Sequence, residues 1–238
     1  MVQDDVFLAA DRSLTEIEAI ETSWRADVIN LAAKSLNGSL YTGSGDDILT
    51  LSGGTVISGN VHMELGNDTL IASSGVITGS VDMGLGDDTV TLTGTADVLS
   101  DVSTYNGDAT VTLADMAHVG GCVLTGHGDD AVVLTGRATI DGDLRTGHGQ
   151  DDILLGARTT VSGEVDASKG DDIIRLQAGA SVKNINGGKG LDTLTRSENT
   201  RIEYDEDPTN GTVFYLDDAG NDTGESVDFQ SIERITCF

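Results

Sequence analysis

Between residues 42 and 196 one pattern returns every 20 to 22 residues, and a fixed period of that length restricts the fold more than any composition does. The copies read TGSGDDILTL, MELGNDTLIA, MGLGDDTVTL, TYNGDATVTL, TGHGDDAVVL, TGHGQDDILL, ASKGDDIIRL and GGKGLDTLTR. Each joins a glycine-rich acidic corner to a run in which apolar residues alternate at period two, as in Leu49 and Leu51, Val90 and Leu92, Val111 and Leu113, or Ile174 and Leu176. That alternation is the mark of a half-buried strand. A second pattern, ISGNV, ITGSV, VGGCV, IDGDL and VSGEV, recurs between corners. Segments so short and so punctuated by glycine leave no room for helices. A unit of about twenty residues cannot bury its apolar side alone, so the copies must stack. The expected fold is all-β, a right-handed parallel β-solenoid with one coil per repeat.

The period runs upstream as well. Asp27 stands twenty residues before Asp47, with Ile29 and Leu31 in the core register, so the repeats are expected to occupy residues 27–196. Residues 1–26 form an N-terminal edge segment. Read alone, SLTEIEAIETSWRADVINLAAKSL also fits an amphipathic helix; the continuing register favours strands. LTEIEAI (14–20) matches FQSIERI (229–235) in its spacing, which predicts similar edge strands at both ends. Residues 197–238 break the period and hold the only proline, and DPTNGT within them reads as the turn of a β-hairpin cap.

Charge narrows the function. A net charge of −27 with thirteen Lys and Arg argues against nucleic-acid partners, which are held by clustered bases. No apolar stretch approaches a membrane span, and MVQDDVFLAADRS lacks the basic and apolar regions of a secretory signal. Stacking places successive corners about 4.8 Å apart, so their aspartates form columns. Two bare carboxylates at that spacing repel by roughly 1 kcal/mol in water and by roughly 3–4 kcal/mol at an effective dielectric near 20. Lysines are too few to balance a column, and a solvated corner with nothing apolar around it offers no means of raising carboxyl pKa values. Bound hard cations remain, since carboxylates and glycine-loop carbonyls are the oxygen set that Ca²⁺ takes.

The motif GGKGLDTLT (187–195) fits the G-G-x-G-x-D-x-U-x nonapeptide in full, and TGSGDDILT, TGHGDDAVV and ASKGDDIIR fit it in part. The chain thus resembles the RTX calcium-binding repeat proteins over about two thirds of its length. The resemblance implies several Ca²⁺ ions held by the sixth-position Asp47, Asp68, Asp88, Asp130, Asp152, Asp172 and Asp192. The preceding Asp46, Asn67, Asp87, Asp108, Asp129, Asp151 and Asp171 assist, with Gly45, Gly66, Gly86, Gly128, Gly149, Gly170 and Gly190 in the loops. Ala109 fills the sixth position of YNGDAT, which predicts a weak or missing ion there. Gln150 reads as a one-residue insertion in TGHGQDD. Tandem RTX repeats come nine residues apart, whereas one nonapeptide falls in each coil here, so a single column on one edge is expected.

Other chemistry is thinner. His127 and His148 hold equivalent loop positions one coil apart and could face each other to bind Zn²⁺ or Cu²⁺, although two exposed loop histidines explain them as simply. Every coil carries the same acids and none adds an unlike set of catalytic groups, so no enzyme is expected. Cys122 and Cys237 lie too far apart along the axis to bridge. The ending IERITCF resembles the junction to a Hint autoprocessing domain, in which Cys237 would be the nucleophile. The expected function is that of an extracellular calcium-binding structural protein that folds on binding the ion and self-associates head to tail. In RTX relatives such chains leave the cell by type I secretion. The alternatives are an adhesin for carbohydrate, such as cell-surface polysaccharide, or for ice, and the repeat region of a Hint-processed precursor.

Overall fold

The computed structural model describes residues 19–22, 24–33 and 35–237, and every regular element in them is a β-strand. Each coil contributes three short strands to three parallel ladders. The corner ladder runs from Val28–Ala32 through Ile48–Ser52, Thr110–Leu113, Ala131–Leu134, Asp152–Leu155 and Ile173–Leu176 to Thr193–Arg196 and Arg234–Cys237. Partners in adjacent coils stand 20 or 21 residues apart, so identical positions stack: Ile29, Leu49, Leu70, Val90, Val111, Val132, Ile153, Ile174 and Leu194 form one continuous file. All of them are buried. The chain is therefore a parallel β-solenoid.

The second ladder stacks Leu36, Ile57, Ile77, Val98, Val119, Ile140, Val161 and Val182, and the third stacks Leu40, Val61, Val81, Val102, Val123, Leu144, Val165 and Ile185. Three files of apolar side chains thus meet along one axis, and each fully buried Val, Leu or Ile contributes about 1.5–3 kcal/mol. No single coil could enclose such a core.

At the C-terminal end Asp222–Gln230 carries the third ladder onward by pairing with Asn184–Asn186. On its other edge it pairs antiparallel with Gly211–Leu216, which pairs antiparallel with Thr200–Tyr204. Val213, Tyr215, Val227 and Phe229 of this sheet close the end of the core, and the Tyr215 hydroxyl donates to the Ala180 carbonyl at 2.7 Å.

The two ends of the chain do not match as the sequence spacing predicts. Ala19–Glu21 pairs with Ser39–Tyr41 in the third ladder, whereas Arg234–Cys237 pairs with Thr193–Arg196 in the corner ladder. Ala19 and Ile20 thus lie in a different ladder from Arg234 and Ile235, the residues that match them in spacing, while Phe229 and Gln230 of FQSIERI lie in the third ladder. The rest of LTEIEAI, with most of the segment 1–26, lies outside the described residues, as does Phe238 of the Cys-Phe pair.

Candidate metal centre

The corner loops put the two acidic positions on opposite sides of the backbone. The fifth-position residues Asp46, Asn67, Asp87, Asp108, Asp129 and Asp171 are exposed. Their Oδ1 atoms, Asn67 included, accept the backbone N–H of the equivalent residue in the following coil at 2.7–2.9 Å. The sixth-position residues are buried to within 2 % of complete and bond in the opposite sense. Asp68 Oδ1 accepts from the Asp47 N–H at 2.8 Å, Asp88 from Asp68 at 2.9 Å, Asp151 from Asp130 at 2.9 Å, and Asp172 from Asp151 at 2.8 Å. Asp47 extends this column upstream to the Asp27 N–H, and Glu233 ends it by accepting from the Asp192 N–H.

Two sequence expectations need correction. Asp152 is not in the sixth position. It pairs in register with Ala131 and Ile173, faces outward and bonds to Arg175, while Gln150 donates to Asp129 and Asp151 takes the buried place. Gln150 is thus an ordinary fifth-position residue and inserts nothing. The corner is also not uniformly solvated. Burial raises Asp47 and Asp130 to about 6 and Asp68, Asp88 and Asp172 to about 7, and it raises Asp151 and Asp192 as well.

A residue five places earlier tunes this effect. Thr42 stands beside Asp47 and Thr125 beside Asp130, and their hydroxyls pull the carboxyls back down. The same place is filled by Met63 before Asp68, Met83 before Asp88 and Ala167 before Asp172, the coils with the higher values. The single proton of each hydroxyl has a competing acceptor along the axis, the Met63 carbonyl 2.8 Å from Thr42 and the Thr146 carbonyl 3.0 Å from Thr125.

The second oxygen, Oδ2, of Asp47, Asp68, Asp88, Asp130, Asp151, Asp172 and Asp192 is buried and has no hydrogen-bond partner. A buried polar atom left so is costly unless it is protonated or bound to a cation. The column interrupts at Ala109, whose N–H donates to Asp130 at 2.8 Å but which offers no carboxylate to the coil before it. The glycines complete the corner. Gly66, Gly86, Gly149, Gly170 and Gly190, with Gly45, Gly128 and the additional Gly107, hold φ between +123° and +153°. From Gly66 onward, a Cβ at these positions would overlap the carbonyl oxygen of the glycine one coil earlier. Among the described residues no three His, Cys, Asp or Glu side chains converge on one point. From Asp47 to Asp192 every coil except that of Ala109 offers one buried carboxylate oxygen.

Outside this column His127 and His148 stand on adjacent coils with ring centroids 4.3 Å apart, and Lys169 Nζ lies 2.8 Å from His148 Nε2. Partial desolvation, with Lys169 and His127 adding to it, holds His148 below the ordinary imidazole value. Cys122 is half-buried, its sulfur accepting the Asp143 N–H at 3.4 Å, and Cys237 is exposed; both are free thiols.

No family profile matches the chain, and no curated protein matches it. Among solved structures it is similar to a hyperactive, Ca²⁺-dependent, β-helical antifreeze protein from an Antarctic bacterium. That crystal structure is 25% identical with a TM-score of 0.53, over 82% of this chain and 64% of the other. The chain thus spans under two thirds of that protein's length.

Proposed function

We propose that the chain is a calcium-dependent, non-catalytic β-solenoid that serves outside the cell as a structural or adhesive element. The observation that carries this reading is the column of buried Oδ2 atoms, which lack any partner from the protein. The donor set fits a hard cation, because Ca²⁺ takes carboxylate and carbonyl oxygens in flexible geometry. Asp47, Asp68, Asp88, Asp130, Asp151, Asp172 and Asp192 would supply the carboxylates, and the corner glycines the close backbone. The likeness to a Ca²⁺-dependent β-helical protein supports it. An ion bound only by the folded chain stabilises it by mass action and relieves its −27 charge. Circular dichroism on heating, in millimolar calcium and in EDTA at pH 7.5, tests the proposal. A large fall in melting temperature on chelation is expected, and identical melting curves would refute it.

Ice is a second reading, and one surface favours it. The outward face of the corner ladder places Thr69, Thr89 and Thr110 in one file and Thr50, Ile71, Thr91 and Thr112 in the next. From Ile48 to Val133 that face carries no charge, on a protein otherwise dense with acids. The corner's outer file, by contrast, mixes Ser44, Leu65, Leu85, Asn106 and His127 and has no regular character. Thermal hysteresis in calcium that disappears in Thr91→Lys would support ice binding by the sheet face. No hysteresis at any concentration would exclude it.

A further inference from the structure

At the third loop position, one place before the glycine row, single backbone bridges link Asn106 with His127 and His148 with Lys169, while the adjoining strands pair His127 with His148. Five nitrogen-bearing side chains, Asn106, His127, His148, Lys169 and Lys189, therefore follow one another on successive coils, all exposed. The two imidazoles meet edge to face, at an interplanar angle of 71°. Lys169 can only donate to Nε2 of His148, which makes that nitrogen an unprotonated acceptor with its lone pair directed at the ammonium. The other described histidines are engaged elsewhere. His62 stacks on Tyr41 and faces Asp82, and His118 lies between Asp97 and Asp141 at 2.7 and 3.1 Å.

We propose that His127 and His148 chelate a borderline divalent transition-metal ion of the Cu²⁺ or Zn²⁺ class, at a site separate from the buried carboxylate column. Imidazole nitrogen suits these ions, whereas the column presents only oxygen, the ligand of hard cations. The two sites thus sort cations by ligand type a few residues apart. Parallel pairing fixes the two backbones, so little conformational freedom remains to be lost when both rings turn toward one ion. Lys169 opposes binding. Its ammonium occupies the lone pair that the metal needs and must swing away, which its flexible stem permits.

The test is a titration of the calcium-saturated protein with Cu²⁺, followed by calorimetry and by electron paramagnetic resonance. Two equatorial nitrogens are expected in the spectrum of the first ion bound. Loss of a second-shell partner alone costs about 10–100-fold in affinity, so His127→Ala and His148→Ala should each weaken binding by about tenfold or more. Lys169→Gln should strengthen it. The three substitutions are exposed, and unchanged circular dichroism would show that each variant is folded. Affinity untouched by either histidine substitution, or a spectrum of oxygen ligands alone, would overturn the proposal. Weaker binding in Lys169→Gln would overturn the opposing role of the lysine.

Discussion

Two turns of the same coil solve one problem with different residues. Both carry a file of side chains that accept backbone N–H groups from the adjacent coil. In the turn before the third ladder the acceptors are Ser39, Asn60, Asp101, Cys122 and Asp143. In the corner they are Asp47, Asp68, Asp88, Asp130, Asp151, Asp172 and Asp192. Satisfying an N–H requires only an acceptor, and the first turn accepts a hydroxyl, an amide, a carboxylate or a thiol for it. The corner uses carboxylate almost without exception, although there the side chain is buried and its charge is most expensive. Capping alone does not account for that choice. On the proposed calcium function the second oxygen does, because it is what an amide or a hydroxyl could not offer to a cation with full charge.

The most severe way to break this comparison is to make the same substitution in both turns. Asp130→Asn keeps an acceptor oxygen for the Ala109 N–H but removes the charge, and in calcium it should cost about 3 kcal/mol, the scale of stripping one partner from a buried ion pair. Asp143→Asn keeps its acceptor as well and loses only an exposed bond to Arg145, so it should cost under about 1 kcal/mol. Chemical denaturation of both variants in calcium reads the difference; equal effects would reduce the corner to another capping file.

The next effect is on pH. With folded-state values raised from 3.8 to about 6 or 7 in Asp47, Asp68, Asp88, Asp130 and Asp172, the metal-free fold favours the protonated carboxyls. Their contribution is fully present below the unfolded value near 3.8 and is lost as pH rises through about 7. Each pKa unit is worth about 1.4 kcal/mol. In EDTA the melting temperature should therefore fall between pH 4 and pH 8. Calcium competes with the protons and should reverse that trend, and parallel pH profiles in the two conditions would contradict the metal reading.

The smallest effect belongs to the gap in the column. Ala109→Asp would restore a carboxylate beside Thr104 and give the Asp88 N–H an acceptor. It should raise stability in calcium by about 1 kcal/mol, the net worth of a hydrogen bond, and lower it in EDTA by adding an unbalanced buried charge. Calorimetry showing one additional bound ion would sharpen the result, whereas a loss of stability in both conditions would mean that the coil cannot admit the side chain.

Much of the site was present in the sequence, and part of it was overlooked there. Asp47, Leu49 and Leu51 share one parity, as do Asp130, Val132 and Leu134, and the residues of that parity face the core. Parity alone therefore shows the sixth-position aspartate pointing inward. It also identifies Asp151, two residues before the buried Ile153, and removes the supposed insertion at Gln150. At the two described residues of LTEIEAI, Ala19 and Ile20, the match to FQSIERI does not extend to the ladder, because spacing within a strand says nothing about which side of the coil the strand occupies.

The sequence by itself determined the stacking. A period of 20 to 22 residues with alternating apolar positions leaves an unpaired core face that only a neighbouring copy can cover, so the solenoid follows from arithmetic and burial. Tertiary structure decided the burial of the corner carboxyls and the upward shift of their pKa values. Whether a carboxyl is solvated or buried, and whether its neighbour is Thr42 or Met63, depends on residues brought beside it by the closing of the coil. Desolvation is a property of what surrounds a group in space, and a chain read one residue at a time does not contain it.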